Sequence, residues 1–432
     1  MKRTLVALAA FCFAAAAHAG VKIQHWTAPS GAQVYFVETH DLPILDLEVD
    51  FAAGSGYDPA GKAGLAAMTQ GLLDTGAGSL DEEAISGHLV DIGAKLSGSV
   101  DSDRAGVSLR TLSSDRERKA ALDLLQLILA KPTFPEAAFA REKARLISSI
   151  QEADTQPEHL AAKRFAAAIY PDHPYGVTAT VASVTGIGRD DVAAFYRDVY
   201  AAKRAVVSLI GDVTRAQAEE IAQSLTAALP AGLPDTGFPP VTLPAATTIA
   251  VPHPAAQSHI LVGLPAMKRG DPDYFPLLVG NYSLGGGGFV SRLMQEVREK
   301  RGYAYNVYSY FYPSKQEGPF EIGLQTKRDQ AEQALTVARD VLAGFLRDGP
   351  TEKELAAAKK NFIDGLPLRI DSNAKILGYL SVIGFYGLPL TYLDDFPAKV
   401  AAVTTSQVRE AFQRHVKPEN LVTVIVASDE KP

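Results

Sequence analysis

The chain has 432 residues, enough for two or more domains with cores of their own, and its 47% hydrophobic and 21% charged content is ordinary for a water-soluble globular protein. A net charge of −7 without a basic run offers no footprint for nucleic acid or an anionic membrane. The single cysteine, Cys12, falls in a segment expected to be removed, which excludes disulfides and a thiol nucleophile from the mature protein.

Residues 1–19 read as an export signal. Lys2 and Arg3 supply the positive start, residues 5–17 the apolar run, and Ala17-His18-Ala19 the small-residue cleavage site before Gly20. The run is too short for a permanent membrane helix, and Phe11 before Cys12 is a poor context for lipoprotein processing. Cleavage removes Lys2 and Arg3, taking the charge from −7 to −9. The expectation is a bacterial periplasmic protein with no membrane span.

Strands are expected at 33–39 and 44–53, the second stopped by Gly54-Ser55-Gly56. Helices follow at 62–73 and 81–92, strands at 95–100 and 104–112, and strong helices at 115–129 and 135–151. More helix is expected to about 201, then a strand at 205–211 and a helix at 216–229. Residues 230–244 hold five prolines and no periodicity, the composition of a linker. The pattern then repeats: strand 258–264, helices 274–283 and 289–301, strands 303–312 and 320–325, helices 330–346 and 351–367, strand 422–427. This is an internal duplication with a period near 200 residues. The fold class is α+β, in two tandem halves that are each an antiparallel sheet with helices on one face. The boundaries expected are 1–19 signal, 20–229 first domain, 230–247 linker and 248–432 second domain.

The most distinctive stretch is Leu284-Gly285-Gly286-Gly287-Gly288-Phe289-Val290-Ser291-Arg292-Leu293. Phe289, Val290, Leu293, Met294 and Val297 recur at helical spacing, Arg298, Lys300 and Arg301 suit the negative end of a helix, and Gly302 suits the residue after it. No Walker lysine and no G-x-G-x-x-G context accompanies the glycines. On composition alone this is a surface loop ahead of an amphipathic helix.

The same residues carry a resemblance. Gly285-Gly286-Gly287, Ser291-Arg292-Leu293, Glu296-Val297-Arg298-Glu299-Lys300-Arg301-Gly302 and Ala304-Tyr305, with Asp271-Pro272-Asp273-Tyr274 upstream, resemble the C-terminal half of the pitrilysin-type inverzincin peptidases. The branch is that of the mitochondrial processing peptidases and their short bacterial relatives. The resemblance covers nearly all the mature chain and implies two halves facing each other like a clam shell. It implies catalytic roles for Arg298 and Tyr305, which hold the substrate carbonyl and oxyanion at a zinc site, and substrate binding at Gly285, Gly286 and Gly287.

Active relatives of this kind carry H-x-x-E-H on a helix of the first half, two zinc ligands and a general base, with a distal glutamate as third ligand. In the matching helix, Gly64 to Leu73, Ala67 and Gly71 stand at the histidine positions and Gln70 at the base. On the helix containing Arg141 to Ile150, Ser149 stands at the distal ligand position, while Glu142 matches a neighbouring acid. The nine histidines are scattered with no H-x-x-x-H pair, although His253 and His259 could converge. No G-x-S-x-G elbow occurs, and Glu82-Glu83 suits a helix N-terminus. No metal or cofactor is assigned to this chain.

The leading expectation is therefore a zinc-free, non-catalytic subunit of a heterodimeric periplasmic metallopeptidase. Its partner would be a zinc-bearing homologue, and peptides would be the substrates. The alternatives are a non-enzymatic scaffold or peptide-binding protein of the same fold, and an autonomous hydrolase with a site of another kind.

Overall fold

The computed structural model describes residues 21–427, so the export signal lies outside the described residues. The first lobe opens with β1 (Gln24–Thr27), β2 (Gln33–Glu38) and β3 (Ile44–Phe51). Then come α1 (Leu65–Gly71), a short hairpin of β4 (Gly76–Ala77) and β5 (Leu80–Asp81), α2 (Glu82–Asp91), β6 (Lys95–Val100) and β7 (Ala105–Leu112). It closes with α3 (Asp115–Ala130), α4 (Glu136–Ala153), α5 (Pro157–Ile169), α6 (Val181–Thr185), α7 (Arg189–Val199), β8 (Ala205–Gly211) and α8 (Arg215–Thr226). Residues 230–244 carry no helix or strand. The second lobe starts with β9 (Thr247–Val251), β10 (Gln257–Met267), α9 (Tyr274–Asn281), the glycine loop, β11 (Ala304–Phe311) and β12 (Gly318–Lys327). It continues with α10 (Ala331–Asp348), α11 (Glu352–Arg369), α12 (Asn373–Tyr386), α13 (Tyr392–Ala402), α14 (Thr405–His415) and β13 (Val422–Val426).

Several helix starts are written locally. Thr180, Thr214, Thr351 and Thr404 each cap the helix that follows, accepting from the backbone three residues on while the side chain there bonds back. Along β3, Leu45, Leu47, Val49 and Phe51 are completely buried on one face, and Asp46, Glu48 and Asp50 alternate with them on the other.

The sheets prove the duplication. The first is ordered β1-β2-β8-β3-β7-β6 and the second β9-β13-β10-β12-β11. Without β1 the two orders superimpose strand for strand. Neighbours are antiparallel except for one parallel pair in each sheet, β2 with β8 and β9 with β13. The expected antiparallel design thus holds with one exception per lobe. The last strand of each lobe enters beside the first and runs the same way, a long-range pairing that local patterning cannot reveal.

Helices also cover more than the expected single face. Each lobe packs its own helices on one side of its sheet, forming two large cores. On the other side, α12 of the second lobe lies across β8, β3 and β2, while α5 of the first lies across β13 and β10. The exchange is reciprocal, because α5 and α12 hold equivalent places in the repeat. Gly384 allows the close approach of α12; a Cβ there would meet Tyr35 and Val206 at 2.7 Å each.

Polar groups fasten the seam. Asp50 is fully buried, takes a 2.7 Å hydrogen bond from the Ser381 hydroxyl on α12, and lies 3.3 Å from Arg104 Nη1. Asp103, 1% exposed, accepts from the Tyr175 hydroxyl within its own lobe. It also accepts at 2.8 Å each from the Tyr386 hydroxyl and the Lys315 backbone N–H of the other lobe. Residues 233–239 join the same seam, with Asp235 accepting from Lys315 Nζ at 2.7 Å and Phe238 packed on Tyr57 and Tyr175.

Candidate functional site

Helix α1 has the frame of a metal-binding helix and none of the donors. It starts at Gly64, whose φ of 101° only glycine adopts easily, and the Asp58 carboxylate caps it by accepting from the Gly64 and Ala66 N–H groups at 2.7 Å each. Burial pushes the Asp58 carboxyl up to about 6, against the pull of those hydrogen bonds. Ala67 and Gly71, one turn apart on the same face, present no ligand atom. The Gln70 carboxamide occupies the space above Gly98 on edge strand β6.

Glu142 on α4 leans over the same face. A Cβ at Gly71 would lie 3.2 Å from its Oε1. Where a metal would supply positive charge, Arg145 does so, donating to Glu142 from Nε at 2.8 Å and also from Nη2. Ser149 is exposed on the same helix. A methyl group, a bare glycine, an amide and a carboxylate already clamped by a guanidinium do not make a zinc site.

Histidines elsewhere do not substitute. Both ring nitrogens of His253 are engaged by backbone, with Thr155 O at 3.2 Å and Ala255 N at 3.2 Å, and burial lowers the pKa of His259. Among the described residues the one acid–histidine group of metal-binding size is Asp271, Asp273 and His415. Protein groups already occupy it: Arg414 donates to both Asp273 oxygens at 2.8 Å, and His415 Nε2 sits 3.0 Å from Oδ2.

The glycine loop is built differently from the expected helix over 289–301. A turn with π-type hydrogen bonding spans Tyr282–Gly286, a 3-10 turn spans Gly288–Val290, and Ser291 is extended. The following helix has π-type bonding over Met294–Glu299. Gly288, with φ of 58°, turns the chain just ahead of the expected helix, and the extended Ser291 breaks the helical path that apolar periodicity suggested. Gly285 is buried, and a Cβ there would overlap the Ser309 backbone nitrogen and hydroxyl. A Cβ at Gly286 would crowd Asn281, and one at Gly287 would crowd Tyr282. The structure therefore gives these three glycines a packing role. Asn281 ties the loop to β11, donating to Ser309 O at 2.8 Å and accepting from the Ser309 hydroxyl at 2.6 Å. The surface of the loop is Gly288, Phe289 and Val290, the last two 58% and 61% exposed.

Arg298 and Tyr305 meet. The turn at Gly302 (φ 64°) folds the end of the helix onto the start of β11. The Arg298 guanidinium carbon then lies 5.1 Å from the Tyr305 ring centroid and 4.7 Å from that of Phe289. Tyr305 is 80% exposed and its hydroxyl has no protein partner among the described residues. The neighbouring cations are spent locally, since Glu296 pairs with Lys300 Nζ at 2.5 Å and Arg301 Nη1 at 2.7 Å. Those two cations, Lys300 first, hold the Glu296 carboxyl below its usual range. Arg298 has only a loose contact, 3.6 Å, with its neighbour Glu299. Phe289 as the second ring on Arg298 was invisible to sequence reasoning; its place nine residues ahead gives no periodic hint.

Comparison with known proteins gives the family. A model described as Insulinase (Peptidase family M16) matches residues 34–181, and one described as Peptidase M16 inactive domain matches residues 186–362. A crystal structure of a peptidase M16 inactive domain from Pseudomonas fluorescens is 37% identical, with a TM-score of 0.90 over 95% of this chain and 99% of that one. The chain belongs to peptidase family M16. A Helicobacter pylori relative of this M16 chain, described as the non-peptidase homolog YmxG, is 23% identical over 402 residues and 92% of each chain. An uncharacterized zinc protease, SCO5738 of Streptomyces coelicolor, is 27% identical over 307 residues, 68% of this chain and 66% of that protein. The periplasmic protease PqqL from Escherichia coli shares the fold, at 15% identity and a TM-score of 0.81 over 94% of this chain and 46% of that one. No helix among the described residues is long and apolar enough to cross a membrane.

Proposed function

We propose that this M16 chain is the zinc-free subunit of a two-chain periplasmic peptidase. It lends Arg298 and Tyr305 to the substrate carbonyl and oxyanion at a zinc site carried by a homologous partner. The observation that carries the reading is an asymmetry within one chain. A guanidinium whose one carboxylate contact is a loose 3.6 Å to Glu299 converges with a solvent-facing phenol that has no hydrogen-bond partner among the described residues, while the helix that would hold the metal has no donor. Donors aimed at a developing oxyanion are useful only beside an electrophile, so a second chain must bring it.

The sheet faces between the lobes support a chamber wall for peptide. On β3 only Glu48 of the face opposite the core is partly open, since Asp46 and Asp50 are buried and α12 lies across the strand; Glu48 pairs in register with Ser108 of β7. In the second sheet the equivalent row is Glu321, Gly323 and Gln325 against Tyr310, Tyr308 and Asn306. Edge strands β6 and β11 have one unpaired side each. The exposed Phe289, Val290 and Tyr305 suit a protein contact, which also fits the second reading, a non-enzymatic scaffold or peptide-binding protein.

The test is to purify this chain, a homologue bearing H-x-x-E-H from the same organism, and the two together, and to assay peptide hydrolysis. The proposal expects activity only in the mixture. Arg298→Ala should lower kcat about 100-fold while leaving the complex intact on gel filtration. An unchanged rate in that variant removes Arg298 from the reaction; the absence of any complex favours the scaffold.

A further inference from the structure

The tip of the glycine loop is the 3-10 turn Gly288–Val290, and that turn is pinned from the helix behind it. The Ser291 N–H and hydroxyl both donate to Gly288 O, at 2.9 and 2.7 Å, and Gln295 Nε2 donates to Phe289 O at 2.6 Å. Gly288 has nothing within 4 Å of a Cβ, so its positive φ, not crowding, is what calls for glycine there.

What the pinned turn offers is an aromatic ring in the open. Phe289 is 58% exposed and lies outside both lobe cores, so burial does not account for it. Its ring centroid lies 4.7 Å from the Arg298 guanidinium carbon, nearer than the 5.1 Å of Tyr305. Arg298 has no firm ionic hold, since Glu299 is 3.6 Å away and half-exposed. Fixing a long arginine side chain removes much rotamer freedom, more than one exposed cation–π contact returns; two rings together come close to offsetting it. With Tyr305 alone, the guanidinium would be shared with the competing Glu299 carboxylate.

We propose that Phe289 is a positioning residue, whose ring fixes the Arg298 guanidinium beside Tyr305 in the orientation that receives the substrate carbonyl. This role rests on the peptidase-subunit reading, and it gives the ring itself no contact with substrate.

Two measurements test it. In the isotope-labelled mature chain, the Arg298 Nε–H resonance is identified by its loss in Arg298→Lys. In the wild type it should show restricted motion by heteronuclear NOE and an upfield ring-current shift. Phe289→Leu should free the side chain and lose part of the shift, and Phe289→Tyr should keep both. In the mixture with the H-x-x-E-H homologue, Phe289→Leu should lower kcat about two- to fivefold at constant KM, the factor that one exposed cation–π contact is worth. Phe289→Tyr should restore the rate. An Arg298 resonance that is mobile in the wild type, or equally ordered in Phe289→Leu, overturns the proposal and leaves the subunit reading standing. So does an unchanged kcat, or a rise in KM alone, which would put the ring against the substrate. No hydrolysis by the wild-type mixture ends the subunit reading and this role with it, whatever the spectra show.

Discussion

Replacing Asp103 by alanine tests whether the two lobes are truly fastened to each other. Its carboxylate is 1% exposed and accepts from the Tyr175 hydroxyl, the Tyr386 hydroxyl and the Lys315 N–H, the last two at 2.8 Å across the seam. Burial and the adjacent Asp103 charge push both phenols upward in pKa, so they remain donors throughout the accessible pH range. Each hydrogen bond to a charged acceptor is worth about 1.5–3 kcal/mol. The three are coupled and do not add, and the truncation leaves buried donors unpaired, so a loss of about 3–5 kcal/mol is expected. That is a large share of the roughly 5–15 kcal/mol available to a folded protein. Guanidinium unfolding followed by near-UV circular dichroism measures it. Tyr386→Phe, which removes one donor, should cost about 1–2 kcal/mol. A loss below about 1 kcal/mol for Asp103→Ala would show that helix exchange alone joins the lobes, and the role given to the polar seam would be wrong.

The remaining expectations are narrower. Burial, with the adjacent Asp50 charge, raises the Glu48 carboxyl to about 7. The fold therefore favours its protonated form, and the contribution present below about pH 4.5 is lost as pH rises through 7, making the protein about 1–3 kcal/mol more stable at pH 5 than at pH 8 from this group. Glu48→Gln should flatten that slope in thermal melts across the same range. Gly285→Ala should cost about 1–3 kcal/mol by overpacking against Ser309, more than Gly288→Ala, where φ is positive but nothing lies within 4 Å of a Cβ. Arg145→Ala breaks a half-exposed pair and should change stability by less than about 1 kcal/mol in chemical denaturation. If the loss is several kcal/mol instead, the Glu142 carboxylate is more dependent on that cation than its surroundings indicate.

How far the sequence reached depended on whether a residue's role was local. Helices α3, α4, α10 and α11 carry helical patterns because one face is buried and the other wet, while strands β2, β3, β7 and β8 were legible from their runs of apolar and β-branched residues although β8 is buried throughout. Helix α12 escaped notice. Leu377, Leu380 and Ile383 are buried against the opposite lobe, while much of the rest of the helix is apolar too, so no amphipathic stripe marks it. Strand β9 (Thr247–Val251), at the start of the expected second domain, was not foreseen, because its parallel partner β13 lies at the far end of the chain. The lost metal donors were readable, being single-residue identities at a fixed spacing. Their replacement by the Glu142–Arg145 clamp was not, since only the fold shows where Glu142 points.

The exchange of α5 and α12 bears on what the chain can do. In a hinged pair of lobes, closure would bring the glycine loop to its target and opening would release it. Here each lobe supplies a helix to the other's sheet, and Asp50 and Asp103 bury their charges in the joint. Opening would expose two apolar helix faces and strand two carboxylates among unpaired donors, a cost larger than a substrate's binding could offset. On the proposed function, Arg298 and Tyr305 would be carried on a rigid body, and the motion that admits a peptide would lie between this chain and its partner. A bivalent disulfide placed between α12 and β8, Leu380→Cys with Ile210→Cys, should leave activity of the mixed complex unchanged once formed. Inhibition reversed by reductant would mean that the lobes do separate during turnover.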